Sequence, residues 1–192
     1  VSLSDFLENE LLIAHKAHRV EQAQAELEAA ALPLTEASFM YAVDNSDVHA
    51  VRNFLRVGFS PDIRDENGVP LLSHAIRQGN EGIVRLLIEH GANVNAVSDD
   101  RANTPLMEAA TRGDVVVVRR LLEAGADLDL KTKYGQTALM LAVGEARAGV
   151  AQLLLEYGAK TDAVDYLGMT AWKYAELFRS QDILDLLSRS NS

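Results

Sequence analysis

The stretch of sequence that decides the fold runs from Thr104 to Leu130 and reads TPLMEAATRGDVVVVRRLLEAGADLDL. It combines two apolar segments with a glycine near its end, and the same arrangement recurs along the 192-residue chain. The recurring glycines, separated by 33, 34 and 33 residues, are Gly58, Gly91, Gly125 and Gly158. A period of this length is typical of stacked repeats, in which each unit buries its apolar side chains against its neighbours.

Aligning the chain with itself in this period brings similar residues into columns. One column contains alanine in every unit, and this predicts a close approach of two helices because only a methyl group fits. Its members are Ala42, Ala75, Ala109, Ala142 and Ala175. Two further columns contain large apolar residues and are predicted to form the core. The first contains Phe39, Leu72, Leu106, Leu139 and Trp172, and the second contains Phe54, Leu87, Leu121, Leu154 and Leu187.

These columns predict five units, preceded by a separate segment of residues 1–32. The units are expected at residues 33–64, 65–97, 98–130, 131–163 and 164–192. In each unit a first helix is expected to begin near a threonine such as Thr104, Thr137 or Thr170, whose side chain can cap it, and a second helix to end at the recurring glycine. Turns around Asn67-Gly68 and Tyr134-Gly135 are expected between the helix pairs.

Several of the recurring motifs resemble the ankyrin repeat. They are DENG at residues 65–68, TPLMEAA at residues 104–110 and GANVN at residues 91–95. The resemblance extends over residues 33–192 and implies an all-α fold, an ankyrin-repeat solenoid of five helix-turn-helix units with an N-terminal capping helix. The histidine that usually follows Thr-Pro-Leu in this family is absent from every unit. Because Pro70 and Ala37 replace the threonine in the second and first units, we expect weaker helix starts there.

The segment before the repeats has a different character. Between Ser4 and Ala31 it contains no glycine or proline, which predicts one long helix capped by Ser2 or Ser4. Its apolar residues form a broad stripe of Phe6, Leu7, Leu11, Ile13, Ala17, Val20, Leu27 and Ala31. We expect this helix to cover the apolar edge of the first unit; the alternative is a helix for dimerisation or for a partner. At the other end, polar residues and Asn191, in the position of the terminal glycine, predict that the array stops there.

The composition excludes several classes of protein. With 28 acidic and 18 basic residues the net charge is −10, which argues against nucleic acid as the main partner. The chain contains no cysteine, which excludes disulfide scaffolds, thiolate metal sites and cysteine nucleophiles. No apolar stretch is long enough to span a membrane, so a soluble protein without a membrane partner is expected. The compartment stays open between the cytoplasm and the bacterial periplasm, because a removed signal peptide would leave no trace in this sequence.

No residue pattern points to catalysis. The five histidines are scattered over different parts of the chain, without a serine or acidic partner at a motif spacing. His15 and His18, three residues apart, could ligate a metal, but a solvated helix face explains them more simply. We therefore expect no enzymatic activity, no metal and no cofactor. Gly144 and Gly149 are expected inside the helices of the fourth unit, where each would weaken the helix by about 0.5–1 kcal/mol and loosen that unit.

The resemblance implies that a partner protein binds the concave face, which the family builds from the turn tips and the exposed side of the first helices. The candidate residues on this chain are Arg77, Gln78, Asp100, Arg101, Asn103, Arg112, Lys133, Tyr134, Gln136, Tyr166, Leu167 and Met169, with Leu177 and Phe178 extending the apolar end. Arginine and tyrosine are enriched at binding hot spots. The alternative explanation is that any exposed face requires polar residues. The expected function is a non-enzymatic protein-binding module that is a monomer when free.

The first unit adds a finer expectation. Its segments FMYAV, residues 39–43, and DVHAV, residues 47–51, resemble the first repeats of bacterial ankyrin proteins. This implies a bacterial adaptor, or an inhibitor such as an immunity protein that occludes the active site of an enzyme. The alternative from a different class is an oligomeric structural protein assembled through the N-terminal helix. The sequence does not identify the partner.

Overall fold

A computed structural model describes the backbone of residues 3–190 and the side chains of residues 8–190. These residues form eleven α-helices and no β-strand, and the long helix α1(Leu3–Ala29) precedes five helix pairs. The pairs are α2(Glu36–Asp44) with α3(Val48–Val57), α4(Leu71–Gln78) with α5(Glu81–Glu89), α6(Pro105–Arg112) with α7(Val115–Glu123), α8(Ala138–Gly144) with α9(Ala148–Glu156), and α10(Ala171–Leu177) with α11(Gln181–Ser190). None of the described helices is long and apolar enough to cross a lipid bilayer.

The helix pairs stack into two layers. The first helices of the pairs, here called the inner helices, pack in the order α2, α4, α6, α8 and α10. The second helices, here called the outer helices, pack in the order α3, α5, α7, α9 and α11. The predicted all-α solenoid of five helix-turn-helix units is therefore confirmed. The residues at which one unit is divided from the next stay a prediction of the sequence period.

The predicted core columns lie between the two layers. Every member of the alanine column is at most 1% exposed, and so is every member of the column from Phe54 to Leu187. In the remaining column the prediction is wrong for Trp172, which is 38% exposed. Trp172 lies on α10, the last inner helix of the described stack, so no further unit covers its ring. Its indole N–H donates to Glu176 at 2.9 Å on the same helix.

The helix starts follow the sequence with one exception. The predicted caps Thr104, Thr137 and Thr170 each accept a backbone N–H in the first turn of α6, α8 and α10. Pro70 provides no side-chain cap to α4, as expected from the missing threonine. The weak start expected for the first unit is wrong, because α2 begins two positions earlier than the alignment implied and Thr35 caps it through the N–H of Ser38.

The glycines at the ends of the outer helices behave as predicted. Gly58, Gly91, Gly125 and Gly158 all have φ between 85° and 107°, a left-handed conformation that disfavours other residues. The prediction for Gly144 and Gly149 is wrong: Gly144 is the last residue of α8, and Gly149 is the second residue of α9. A glycine at a helix end does not carry the cost of one in the interior, so the expected loosening of the fourth unit loses its basis.

Helix α1 covers the first unit with its second half only. Ala23 and Leu27 are buried, and α1 packs on α3. The carboxylate of Glu26 accepts the side-chain N–H of Asn53 at 2.8 Å and contacts the His49 ring at 2.8 Å. These two contacts hold the pKa of Glu26 below its usual value. The predicted covering of the first unit is thus confirmed for this half.

The first half of α1 differs from the prediction. Residues 8–19 are all exposed, including Leu11 and Ile13 of the predicted apolar stripe, because the helix continues beyond the edge of the first unit. Ala31 is also exposed. The predicted cap Ser2, the side chains of Ser4, Phe6 and Leu7, and Asn191 lie outside the described part of the chain.

Four turn tips connect the helix pairs. Each is closed by a backbone hydrogen bond between its first and last residues, at 65–69, 98–103, 132–136 and 165–169. The tip of the third unit has one residue more than the others, and this residue accounts for the single 34-residue step in the glycine period. Ala102 occupies the positive-φ position that Gly68, Gly135 and Gly168 occupy in the other tips.

Candidate protein-binding surface

The tips and the exposed side of the inner helices form one continuous face, here called the concave face. It contains two hollows. One, of about 530 Å³, lies between α2, α4 and the tip of the second unit, and the other, of about 300 Å³, lies between α4, α6 and the tip of the third unit. All twelve predicted contact residues lie along this face, but the structure divides them into two groups.

The first group is held by contacts within the chain and belongs mainly to the second and third units. Arg77 donates to Glu108 at 2.7 Å and to Asp100 at 3.4 Å, so it links α4 to α6 and to the next tip. Asn103 donates to the same Glu108 carboxylate at 3.2 Å. Burial opposes the charge of Arg77, but the two carboxylates outweigh it and raise its pKa. Three predicted contact residues, Arg77, Asp100 and Asn103, therefore fix the spacing of two units.

The pKa of Asp100 reflects the same network. Burial works against its ionised form, but the side chain of Ser98, the backbone N–H of Arg101 and the guanidinium of Arg77 lower its pKa below the usual value. The backbone N–H of Arg101 donates to Asp100 at 2.8 Å. Asp100 is thus a charged, internally satisfied group, with its oxygens directed toward its own chain.

Two arginines lie across the ends of the inner helices. Arg112 donates from Nη1 to the carbonyl of Arg77 at 2.8 Å, at the C-terminal end of α4. Arg147 donates from Nε to the carbonyl of Thr111 at 3.1 Å, at the C-terminal end of α6. A cation at a helix C-terminus is favoured by the helix dipole, so both contacts stabilise neighbouring units. Gln78, beside this row, is exposed.

Sequence reasoning missed Arg147, although a signal was present. Its position in the repeat is that of Asp47, Asn80 and Asp114, whose side chains cap α3, α5 and α7. Arginine has no acceptor and cannot cap a helix N-terminus, and α9 has no side-chain cap. A residue that breaks a capping column in this way is a candidate for another role.

A second polar network lies beneath the tips of the fourth and fifth units. The predicted residue Gln136 donates to the Tyr174 hydroxyl at 2.8 Å, and that hydroxyl donates to Asp165 at 2.7 Å. Burial opposes the ionised form of Asp165, but the N–H of Met169 and the Tyr174 hydroxyl lower its pKa. Gln136 is thus half-buried and engaged, and Met169 is half-buried beside it.

An equivalent network, which the sequence did not predict, lies at the first two units. The His74 ring contacts Asp44 on α2 and Asp65 in the next tip, both at 3.1 Å. Burial opposes the ionised form of Asp65, but the N–H of Val69 and the His74 ring lower its pKa. Each network thus connects an inner helix to a tip through polar contacts, most of which are half-buried.

The second group of predicted residues is exposed and lies on the tips of units three to five. Arg101 is 68% exposed, and Tyr166 and Leu167 are 76% and 86% exposed. Lys133 lies 5.4 Å from the centre of the exposed Tyr134 ring and donates to the Asp100 carbonyl at 3.0 Å. The side chains of Tyr134, Tyr166 and Leu167 accept and donate no hydrogen bond within the described part of the chain.

These exposed tips form a continuous row. The backbone N–H of Lys133 donates to Arg101 at 3.4 Å, and the N–H of Tyr166 donates to Tyr134 at 3.1 Å. The Tyr166 ring lies so close to Gly135 that a Cβ there would come within 2.8 Å of it, so this glycine permits the close approach. At the C-terminal end of α10, away from the tips, the side chains Leu177 and Phe178 are also exposed. The predicted contact residues thus include a row of cationic and aromatic side chains on adjacent tips, with the apolar Leu167 on the last of these tips.

The histidine pair considered for a metal lies far from this face. His15 and His18 are exposed on the first half of α1, and the His15 ring contacts the carbonyl of Leu11 in its own helix at 2.8 Å. Among residues 8–190, no three His, Asp or Glu side chains are placed to hold one metal ion.

Comparisons with known proteins agree with this architecture. A family model that describes three copies of the ankyrin repeat matches residues 39–132 and 107–192. A protein of Treponema pallidum named for its ankyrin repeats is 39% identical over 181 residues, which cover 94% of this chain and 60% of the relative. Ankyrin repeat proteins of Acanthamoeba polyphaga mimivirus and Coxiella burnetii are 32% and 31% identical over 110 and 116 residues.

The extent of these matches differs. The mimivirus match covers 55% of this chain and 68% of that relative, and the Coxiella match covers 58% and 33%. The chain thus spans about 60% of the length of the Treponema relative. Ankyrin repeats are in general modules for protein–protein interaction and are in general not enzymes. With matches that together include residues 39–192, and with a stack of five helix pairs, this chain belongs to the ankyrin repeat family.

Proposed function

We propose that the chain binds a partner protein through the row of exposed tips in units three to five, together with the apolar end of α10. The observation that carries this proposal is the exposed series Arg101, Tyr134, Tyr166 and Leu167, whose side chains make no hydrogen bond or ion pair to another unit within the described part of the chain. When a partner covers exposed aromatic and aliphatic side chains of this kind, few contacts within the chain have to be broken. Tyrosine and arginine are also the residue types that contribute most at protein interfaces.

The division into two groups sharpens the set of contact residues. Arg77, Asp100, Asn103, Arg112 and Gln136 have partners within the chain, and these contacts hold the tips and inner helices at a fixed spacing. The direct contacts to the partner come from Arg101, Lys133, Tyr134, Tyr166 and Leu167, with Gln78 and Met169 at the margin. A rigid support of this kind lowers the entropy lost on binding, because the tips are already in place.

A photo-crosslinking experiment tests this surface. A photoreactive phenylalanine analogue replaces Tyr134 or Leu167 on the concave face, and Arg119 on the outer helix α7 as the matched exposed control. In extracts of the cells that make the protein, we expect an adduct of the same size from the two concave positions and none from Arg119. Adducts from Arg119 alone would place the interface on the outer helices and contradict the proposal.

The biochemical consequence of binding is a finer proposal. An adaptor and an inhibitor that occludes an enzyme both require a rigid contact surface without chemistry of its own. A bacterial inhibitor, such as an immunity protein, can be distinguished from an adaptor once the crosslinked partner is purified. If the partner is an enzyme whose activity falls in proportion to complex formation, the chain is an inhibitor; unchanged activity in the complex supports an adaptor.

An oligomeric structural protein is the second candidate, and the projecting half of α1 favours it. Leu11, Leu12 and Ile13 are exposed there without a neighbour in the stack. We nevertheless propose that the free chain is a monomer, because the half of α1 that packs on α3 already covers the first unit. Light scattering after size exclusion tests this. A dimer that becomes a monomer after Leu11→Glu and Ile13→Glu, with unchanged helicity, would support the structural protein instead.

A further inference from the structure

The smaller hollow of the concave face is surrounded by cations. It is lined by Arg77, Arg101 and Arg112, together with Glu108 and Thr111, and it encloses about 300 Å³. The chain as a whole has a net charge of −10. Three guanidinium groups around one hollow are therefore unusual for this surface and need an explanation of their own.

The acidic groups near the hollow do not balance these cations. Glu108 is occupied by Arg77 at 2.7 Å and by Asn103 at 3.2 Å. Asp100 contacts Arg77 at 3.4 Å, and the nearest approach of the Arg101 side chain to it is 4.0 Å. Three guanidinium groups thus face two carboxylates, which leaves an excess of one positive charge that an additional negative group could neutralise.

The donors for that charge are available and partly fixed in position. A guanidinium group carries five N–H donors. Arg112 uses Nη1 for the Arg77 carbonyl, a contact that fixes the group beside the hollow, and its other donors make no hydrogen bond to residues 8–190. Among residues 8–190, the Arg101 side chain makes only the 4.0 Å approach to Asp100, and Arg101 lies in the tip that is one residue longer than the other three described tips.

We propose that this hollow binds the carboxylate of a single aspartate or glutamate in an extended segment of the partner protein. The inference rests on the proposed function, and it adds the chemistry that the partner must present. A carboxylate suits the planar N–H pairs of arginine, which bind it through two parallel hydrogen bonds. One such group neutralises the hollow, whereas a polyanion would be repelled by the acidic chain around it.

The neighbouring tips determine what must flank this acidic residue. Arg101 and Tyr134 lie on adjacent tips, joined by the contacts of Lys133 to Arg101 and Asp100. Packed helices are about 8–10 Å apart, and an extended chain advances about 3.3–3.6 Å per residue. The partner segment should therefore carry an apolar or aromatic residue about three positions from its acidic residue, where it meets Tyr134, and another about six positions away, where it meets Tyr166 and Leu167 on the following tip.

A selection from random displayed peptides tests the inference. Peptides of about 12 residues, which extend to about 40 Å, are long enough to follow four units. They are selected against the full chain, and an enriched peptide is then synthesised with its acidic residue as glutamate, glutamine, lysine or phosphoserine. Affinities are measured by fluorescence anisotropy for the unmodified chain, for Arg101→Glu, and for the matched control Arg119→Glu on the outer helix α7.

We expect the glutamate peptide to bind the unmodified chain at least tenfold more tightly than the glutamine peptide, and Arg101→Glu to prefer the lysine peptide. Arg119→Glu should behave as the unmodified chain. Equal affinity for glutamate and glutamine, recovery of no peptide, or tighter binding of phosphoserine would overturn the carboxylate assignment. If affinity is insensitive to peptide charge but is lost in Tyr134→Ala, the proposed function stands and only this inference fails. If Tyr134→Ala and Arg101→Glu are both without effect, both proposals fail.

Discussion

The two halves of the concave face use similar positions of the repeat in different ways. In units two and three, Arg77, Glu108, Asp100 and Asn103 form a network that connects one unit to the next. In units four and five, the supporting polar contacts lie lower, between Gln136, Tyr174 and Asp165, and the tips above them are exposed aromatic and apolar side chains. The comparison teaches that residues at similar positions of the concave face can either link neighbouring units or be left exposed, and only the donors and surfaces not engaged within the stack are available to a partner.

The largest effect should be the same in both halves, because the buried column runs through all units. Leu87→Asp in unit two and Leu154→Asp in unit four each place a lone carboxylate at a position that is 0% exposed. Each should lower the free energy of unfolding by at least about 4 kcal/mol and melt more than one unit, since neighbours support each other.

Chemical denaturation followed by circular dichroism measures this effect. Leu167→Asp is the matched control: the same substitution at an exposed tip should change the stability by no more than about 0.5 kcal/mol. A loss of unfolding free energy for only one of the two buried substitutions would mean that the two halves are not parts of one cooperative stack.

A smaller effect should separate the two halves. Glu108→Ala removes the carboxylate that accepts hydrogen bonds from Arg77 and Asn103, and it should destabilise the protein by about 1–3 kcal/mol. Glu145→Ala, at an exposed position in unit four, should change the stability by less than about 0.5 kcal/mol. Equal stability of the two variants in urea would remove the distinction between a supporting and a free region.

The next prediction concerns binding. Tyr134→Ala with Leu167→Ala should weaken binding to the purified partner at least tenfold, about 1.4 kcal/mol, without lowering the melting temperature. The control is Glu89→Lys with Glu123→Lys on the outer helices, where the affinity should be nearly unchanged because exposed charges far from an interface are screened. Isothermal titration calorimetry decides between the two faces: loss of binding in the outer-helix pair alone would rule out the concave face.

The smallest predicted effect is the pH dependence of stability that comes from Asp165, which lies beneath the exposed tips of units four and five. The folded state holds the pKa of Asp165 below its usual value, so its ionised form is favoured by folding. The stability from this group is therefore present above the unfolded pKa of about 3.9 and is lost as pH falls through the lower folded value. In Asp165→Asn, the stability should depend less on pH below about 5. The exposed Asp162→Asn serves as the control, and identical pH profiles would show that Asp165 does not support the tip.

Much of the fold was predictable because the same residue types recur at equivalent positions in each repeat. The alanine column, the leucine column and the left-handed glycines are local features, and their four or five copies reinforce the interpretation. The candidate face was predictable as a list of positions. Its division was not, because Arg77 and Glu108 are 31 residues apart and the sequence does not show whether a charged side chain finds a partner on the next unit.

The sequence by itself determined the repeat period, the helix pairs, the buried columns and the residues that can reach the concave face. These depend on side-chain size and backbone preference, which are properties of the residues themselves. Only the tertiary structure decided that Trp172 is exposed, that the first half of α1 projects from the stack, and that Arg112 contacts the end of α4 while Arg101 is exposed. These outcomes depend on which unit lies next to a residue and how far it is, because burial and pairing are properties of a neighbourhood.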